Sequence, residues 1–326
     1  MILKRVHSLD VLAYVLVPLF LILFWLRSLT EVYIPESLGD LSPMPLWGMM
    51  LKVIKGNHIA ASIVVMIMAL LSAMGVNRFT NRYKLLSKPT VLPGVIYILL
   101  VSGFTEVQYI HPVWFFVPLF MLSIEKLFNA HGKQKPMAWC FDAAFWFSVG
   151  TLFFGKGMIL FAFILIVMFI MRVFTTKAIL AAHFGLLLPY IFDFAYYLLI
   201  DKTALFFETL HVNFTTPVAF YSHSAFSKTY LYSMVVLVVL SLINIARQMP
   251  IFKIITRKHY RVFNWLVIMS LLAAMTPFYS LEMIPVISVG SAIVIAYFLD
   301  VIRHESVKEI FFTVIVLVTI LAQILI

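Results

Sequence analysis

Apolar runs of roughly bilayer length recur along this chain, broken by short polar gaps. A helix crosses a hydrocarbon core with about 17–25 apolar residues. By that rule the pattern predicts about eleven spans, at 9–26, 59–76, 91–108, 112–128, 138–154, 157–174, 178–200, 229–246, 262–280, 284–302 and 310–326. The fold expected is all-α, a polytopic transmembrane helical bundle forming a single domain over 1–326. Two joints are tight. Gly155-Lys156-Gly157 reads as a turn at the membrane surface, and Pro112 starts a helix where its missing N–H costs nothing. The first run follows Lys4 and Arg5, as a signal peptide would. It continues to Leu26 with no Ala-x-Ala-like cleavage site after it, so it is expected to remain as an uncleaved first span.

Charge gives the pattern a direction. Arg78, Arg82, Lys84 and Lys88 fill the second gap, Lys126, Lys133 and Lys135 the fourth, and Arg172 and Lys177 the sixth. Arg247, Lys253, Arg257, Lys258 and Arg261 fill the eighth, and Arg303 and Lys308 the tenth. With Lys4 and Arg5, these are all but six of the 24 lysines and arginines. Basic residues are retained on the cytoplasmic side, so the N-terminus and the even gaps are expected there and the C-terminus on the opposite side.

Two outward gaps are long, about 28–58 and 201–228. In the first, Trp47, Met50, Leu51 and Ile54 form a helical stripe, which predicts an interfacial helix with its apolar side towards lipid. The second mixes aromatic and polar residues from Phe206 to His223 and is expected to fold back against the bundle top.

Several polar residues stand in awkward places. Asp193 lies inside the seventh span, about 12 Å below its outer end at 1.5 Å per residue, and must face the bundle or water. Pro189, four residues before it, removes a backbone donor. Glu106, Gln108 and His111 crowd the joint after the third span. Lys156 caps the turn between the fifth and sixth, Arg27 and Glu31 follow the first, and Glu282 opens the tenth. With His58, His211 and His223 they make the outer side chemically richer than the inner. The candidates for substrate binding are Arg27, Glu106, His111, Lys156 and Asp193; the alternative is that each anchors a span end in the headgroup region. Asp142 in a first helical turn, and Asp300 beside Arg303, read as structural.

The chain is 63% hydrophobic and 12% charged, which leaves no room for a soluble domain between spans. Its net charge of +10 sits in short loops and forms no stripe, so no nucleic-acid partner is expected. The single Cys140 excludes an intrachain disulfide. His211 and His223 lack a short-spaced partner, and no metal site is expected. Nucleotide-loop, zinc-protease and nucleophile-elbow motifs are absent, and no cofactor is implied. With 12 glycines and no inverted repeat, a transporter built on unwound helices is disfavoured.

Arg82 to Pro93 forms a basic loop ending in Leu-Pro before a Tyr97-containing span. Phe141-Asp142-Ala143-Ala144-Phe145 opens a later span that closes in Leu152-Phe153-Phe154, and Arg172-Val173-Phe174 precedes Gly185 and Pro189. Through these features the stretch from about Asn57 to Leu199 resembles a family of multi-spanning inner-membrane proteins of unknown function from the Bacteroidota. The resemblance implies a bacterial inner membrane, with the periplasm outside, and no particular chemistry.

Three readings of function stay open. The first is the handling of a lipid-linked glycan or lipid at the outer face. The architecture loosely resembles polyprenyl-phosphate-dependent glycosyltransferases, which carry acidic residues in a first outer loop. Glu31, Glu36 and Asp40 occupy that loop here, so Glu31 and Asp40 are the catalytic candidates, able to act as general base towards a hydroxyl. Arg27 or Lys156 would hold a lipid phosphate; the paired acidic motif of those enzymes is absent. The second is a proton-coupled transporter or lipid translocase using Asp193. The third is a non-catalytic membrane subunit whose partners are the bilayer and other envelope proteins.

Overall fold

The computed structural model describes residues 11–30, 42–54, 57–217, 223–278 and 281–325, with side chains from Val15 and not at Thr30. Thirteen α-helices lie among them: α1 (Val11–Thr30), α2 (Pro45–Ile54), α3 (His58–Arg82), α4 (Leu92–Val101), α5 (Val113–Ala130), α6 (Met137–Thr151), α7 (Phe161–Ile170), α8 (Thr176–Leu199), α9 (Thr203–Thr215), α10 (Ala225–Gln248), α11 (Ile254–Ala274), α12 (Ile284–Val301) and α13 (Glu305–Leu325). No strand occurs among the described residues. Six helices, α3, α5, α8, α10, α12 and α13, are long and apolar enough to cross a membrane.

Local chemistry explains where the helices begin. Asn57, Thr175 and Ser224 cap α3, α8 and α10, each side-chain oxygen accepting from a backbone N–H three residues on. Pro93 and Pro285 sit in the first turns of α4 and α12, where no intrahelical donor is lost. The predicted 91–108 span is interrupted. Its helix stops after ten residues at Val101, and a short 3₁₀ turn, Thr105–Gln108, follows. The predicted 157–174 span likewise divides into a 3₁₀ stretch, Gly155–Leu160, and the ten-residue α7.

Every residue of α4 is buried. It packs on α12, of whose apolar stretch 72% is buried, against 22% for α8 and α13. The α4–α12 pair is therefore the bundle's centre, and α8 and α13 present most of their apolar surface outward, as helices facing lipid do. Contacts sort the helix ends into two levels. At one, Arg78 and Arg82 pair with Glu125, Lys126 Nζ lies 2.9 Å from Asp142, and the Tyr260 hydroxyl donates to the Leu85 carbonyl. At the other, His111 meets Glu282, Trp25 meets Ser102, and the Leu46 amide donates to the Leu152 carbonyl. The long segments thus alternate in direction, leaving a basic end and an opposite end.

Two local expectations change. The stripe Trp47, Met50, Leu51 and Ile54 turns towards protein: Trp47 is buried against Phe115, ring centroids 6.0 Å apart, while Val53 and Met49 face out. Packing on α5 removes the indole from water and lipid alike, and this wins over an interfacial placement. Asp300 does not pair with Arg303, because α12 ends at Val301 between them. Its carboxylate instead accepts from the Ser87 amide (2.9 Å) and hydroxyl (2.8 Å).

The most extensive helix contact, α6 on α8, depends on Gly185, where a Cβ would overlap the Phe141 carbonyl oxygen. Backbone cannot give way as a side chain does, so α8 must move. Gly185→Ala is expected to cost about 1–3 kcal/mol, read as a lowered Tm in detergent.

Candidate functional site

The interruption after α4 organises the opposite end of the bundle. The Ser102 amide closes on Ile98 and Leu99, and the chain then runs extended through Phe104. A helix end buried in an apolar bundle exposes carbonyls that water cannot reach, and each needs a donor. The Ser102 carbonyl receives two: Gln108 Nε2 at 3.1 Å and Gln323 Nε2, from α13, at 2.8 Å. Gln323 also donates to the Phe24 carbonyl of α1 at 2.8 Å. Trp25 Nε1 donates to Ser102 Oγ at 2.8 Å, and Trp114 Nε1 to the Val107 carbonyl at 3.0 Å. Arg27, exposed at the end of α1, donates to the Gln323 carbonyl at 3.2 Å.

Beside this frame stands a carboxylate–imidazole pair. His111 Nδ1 accepts from the Val113 amide at 3.3 Å, which places the ring proton on Nε2. Nε2 then donates to Glu282 Oε2 at 3.2 Å. The two side chains are 21% and 12% exposed. Glu282 Oε1 is buried and has no hydrogen-bond partner among the described residues. Glu106 sits in the adjoining 3₁₀ turn, partly buried, and its charge reaches His223. Burial and the Lys228 ammonium hold the His223 imidazole below its usual range, with Glu106 opposing them. His223 Nδ1 lies 2.7 Å from Ser227 Oγ. On the other flank the Phe154 ring meets His111 at 5.7 Å, and Lys156 follows it, partly buried, in the 3₁₀ stretch. Asn213 of α9 donates to the Ser42 carbonyl at 2.8 Å, which draws the aromatic segment back onto the bundle as its composition suggests.

No family model, curated protein or solved structure matches the chain. What the arrangement can do follows from its own chemistry. An imidazole that donates to one oxygen of a carboxylate, while the other oxygen has no donor, forms an acid–base pair able to take up a proton or a hydroxyl donor. Arg27 stands at the same end, its guanidinium donating to the Gln323 carbonyl.

Of the residues singled out by sequence, Glu106 and His111 belong to one cluster, and Arg27 and Lys156 stand at the same end. Asp193 is elsewhere: it lies on α8 with Tyr190 and Tyr197 of its own helix as its electrostatic neighbours, and its Oδ2 is buried without a partner. Glu31 and Asp40 lie outside the described residues. Sequence reasoning noted Glu282 as a span-end acid but did not join it to His111, because no spacing rule links residues so distant. Gln323 was also missed, although an amide inside the apolar 310–326 run was a visible signal.

The pair is testable by a double-mutant cycle. His111→Ala leaves a buried carboxylate with no donor and is expected to cost about 1–3 kcal/mol. Adding Glu282→Leu is expected to recover part of that loss, and purely additive Tm changes would show that the two side chains do not interact.

Proposed function

We propose that the chain threads a bacterial inner membrane about eleven times with its basic end in the cytoplasm, and that the outer end holds the polar head of a lipid or lipid-linked glycan. The topology draws on the alternation of helix direction and on the charge asymmetry between the ends. Ten residues of α4 or α7 rise only about 15 Å, half of a hydrocarbon core of about 30 Å, so the adjoining 3₁₀ segments complete those crossings.

The observation that carries the function is the buried, unpartnered Glu282 oxygen beside His111, next to an interrupted helix. Irregular backbone at membrane depth is tolerated where it is buried in protein or lines a polar cavity. A substrate hydroxyl would satisfy the carboxylate, and Arg27 would meet a phosphate. Glu31 and Asp40 remain the proposed catalytic acids of the loop that follows Arg27.

Mass spectrometry of lipids that copurify with the protein tests this reading. A polyprenyl-phosphate or glycolipid species is expected, depleted in Glu282→Gln. Bulk phospholipid alone, unchanged by that substitution, would point instead to a non-catalytic subunit. A reporter fused after Ile326 is expected outside the cytoplasm, and a cytoplasmic reporter inverts the topology.

One observation favours a transport reading. The unpartnered Asp193 oxygen lies on a helix with largely outward apolar surface, and an intramembrane carboxylate there is costly. If Asp193 carries protons, Asp193→Asn abolishes the cellular phenotype at unchanged membrane yield. Full activity of that variant removes the transport reading.

A further inference from the structure

At the basic end, three joints meet without a carboxylate among them. His131 follows α5, Arg172 follows α7, and Lys258 lies in the second turn of α11, ahead of the apolar run that begins at Val262. His131 Nδ1 lies 2.7 Å from the Met171 carbonyl, so it carries the proton and Nε2 is a bare acceptor. Lys258 Nζ stands 3.4 Å from that Nε2. This is the only hydrogen-bond partner of Lys258 among the described residues, although the residue is just 7% exposed and an ammonium has three donors. The Arg172 charge lies close enough to repel it. His259 is 4% exposed against the rings of Tyr83 (4.7 Å) and Phe128 (4.5 Å), and its Nδ1 has no partner among the described residues. It feels both His131 and Lys258.

Among the described residues of this end, Glu125 pairs with Arg78 and Arg82, Asp142 with Lys126, and Asp300 accepts from Ser87, while Glu305 and Glu309 on α13 make no ion pair with Lys258 or Arg172. Arg172 has no ion pair or hydrogen bond from its guanidinium among the described residues. Its backbone is also unusual. With φ at 60° it occupies the left-handed region just past α7, where the Val173 amide reaches back to the Met168 carbonyl. That is the helix-terminating position glycine fills most cheaply. An arginine there spends conformational energy on a side chain that makes no internal bond. Two uncompensated cations, one of them buried, converge from separate helices.

We propose that Lys258 and Arg172, with His131 holding the Lys258 ammonium in place, form a binding site for a phosphate group, carried by an anionic lipid headgroup or free in solution. The phosphate oxygens take the two unused ammonium donors and the guanidinium fork, and the negative charge removes the repulsion between the cations. Basic pockets between membrane helices on the cytoplasmic side suit such headgroups. This site lies at the end of the bundle away from His111 and Glu282 and does not depend on the function proposed for them.

The test uses the full chain, delipidated in maltoside micelles, with phosphatidylglycerol, phosphatidylcholine or inorganic phosphate added. Tm and native mass spectrometry are the readouts. Phosphatidylglycerol is expected to raise Tm and to bind more tightly than phosphatidylcholine. Arg172→Gln and Lys258→Met are each expected to weaken that binding by about tenfold, the loss of one charge-assisted contact. Lys88→Gln, an exposed lysine of the same end, is expected to leave it unchanged. If inorganic phosphate gives the same Tm rise, with the same sensitivity to the two variants, the ligand is a soluble phosphate. The proposal is overturned if the wild-type chain binds neither, or if both variants bind as the wild type does. Should Lys258→Met fail to fold, the exposed Arg172 carries the comparison alone.

Discussion

Inside a bilayer the backbone has nowhere to place an unpaired carbonyl, and this constraint shapes the molecule more than any single contact. A continuous helix meets it automatically. An interrupted one must bring its own donors, and α4 does so. The side chains of Gln108 and Gln323 reach the Ser102 carbonyl from opposite directions along the chain, and the Trp25 indole takes the Ser102 hydroxyl. The polar residues that serve the break also give this end of the bundle its chemistry. A helix stop, a tryptophan, two amides, an imidazole and a carboxylate accumulate at this end of the bundle, around the interruption.

Much of the architecture was legible because two simple periodicities carried it. Apolar runs gave helices at each predicted position, and the basic residues of alternate gaps fell at one end of the bundle, as Arg78, Arg82, Lys126 and Lys258 illustrate. The failures were of a different kind. Hydropathy cannot distinguish a fully buried ten-residue helix from the start of a longer one, so the break after Val101 was invisible in 91–108. Nor can it say what an apolar stripe will meet. Trp47 was read against lipid and packs on Phe115. Asp300 was matched to the nearest cation in sequence, while the Ser87 amide and hydroxyl, far away along the chain, satisfied it better.

The candidate site was half legible for the same reason. Glu106 and His111 could be seen because they crowd one joint. Glu282 completes them from a distant helix, and a single sequence holds no trace of that pairing. Asp193 was conspicuous by its cost in hydrocarbon, yet conspicuousness did not place it with the others. The cluster of Lys258, Arg172 and His131 was hidden differently: Lys258 and Arg172 were counted as ordinary loop cations, and only packing reveals that they share one place with His131 and have no acid paired with them among the described residues.

The glutamine on α13 has a temporal consequence. Its amide bridges to a carbonyl 221 residues earlier in the chain. Until α13 packs, that carbonyl has Gln108 as its side-chain donor, and the α13 amide then adds a second donor and a tie to the Phe24 carbonyl of α1. The joint between α1, the break after α4 and α13 is therefore closed only once α13 has joined the helices that precede it.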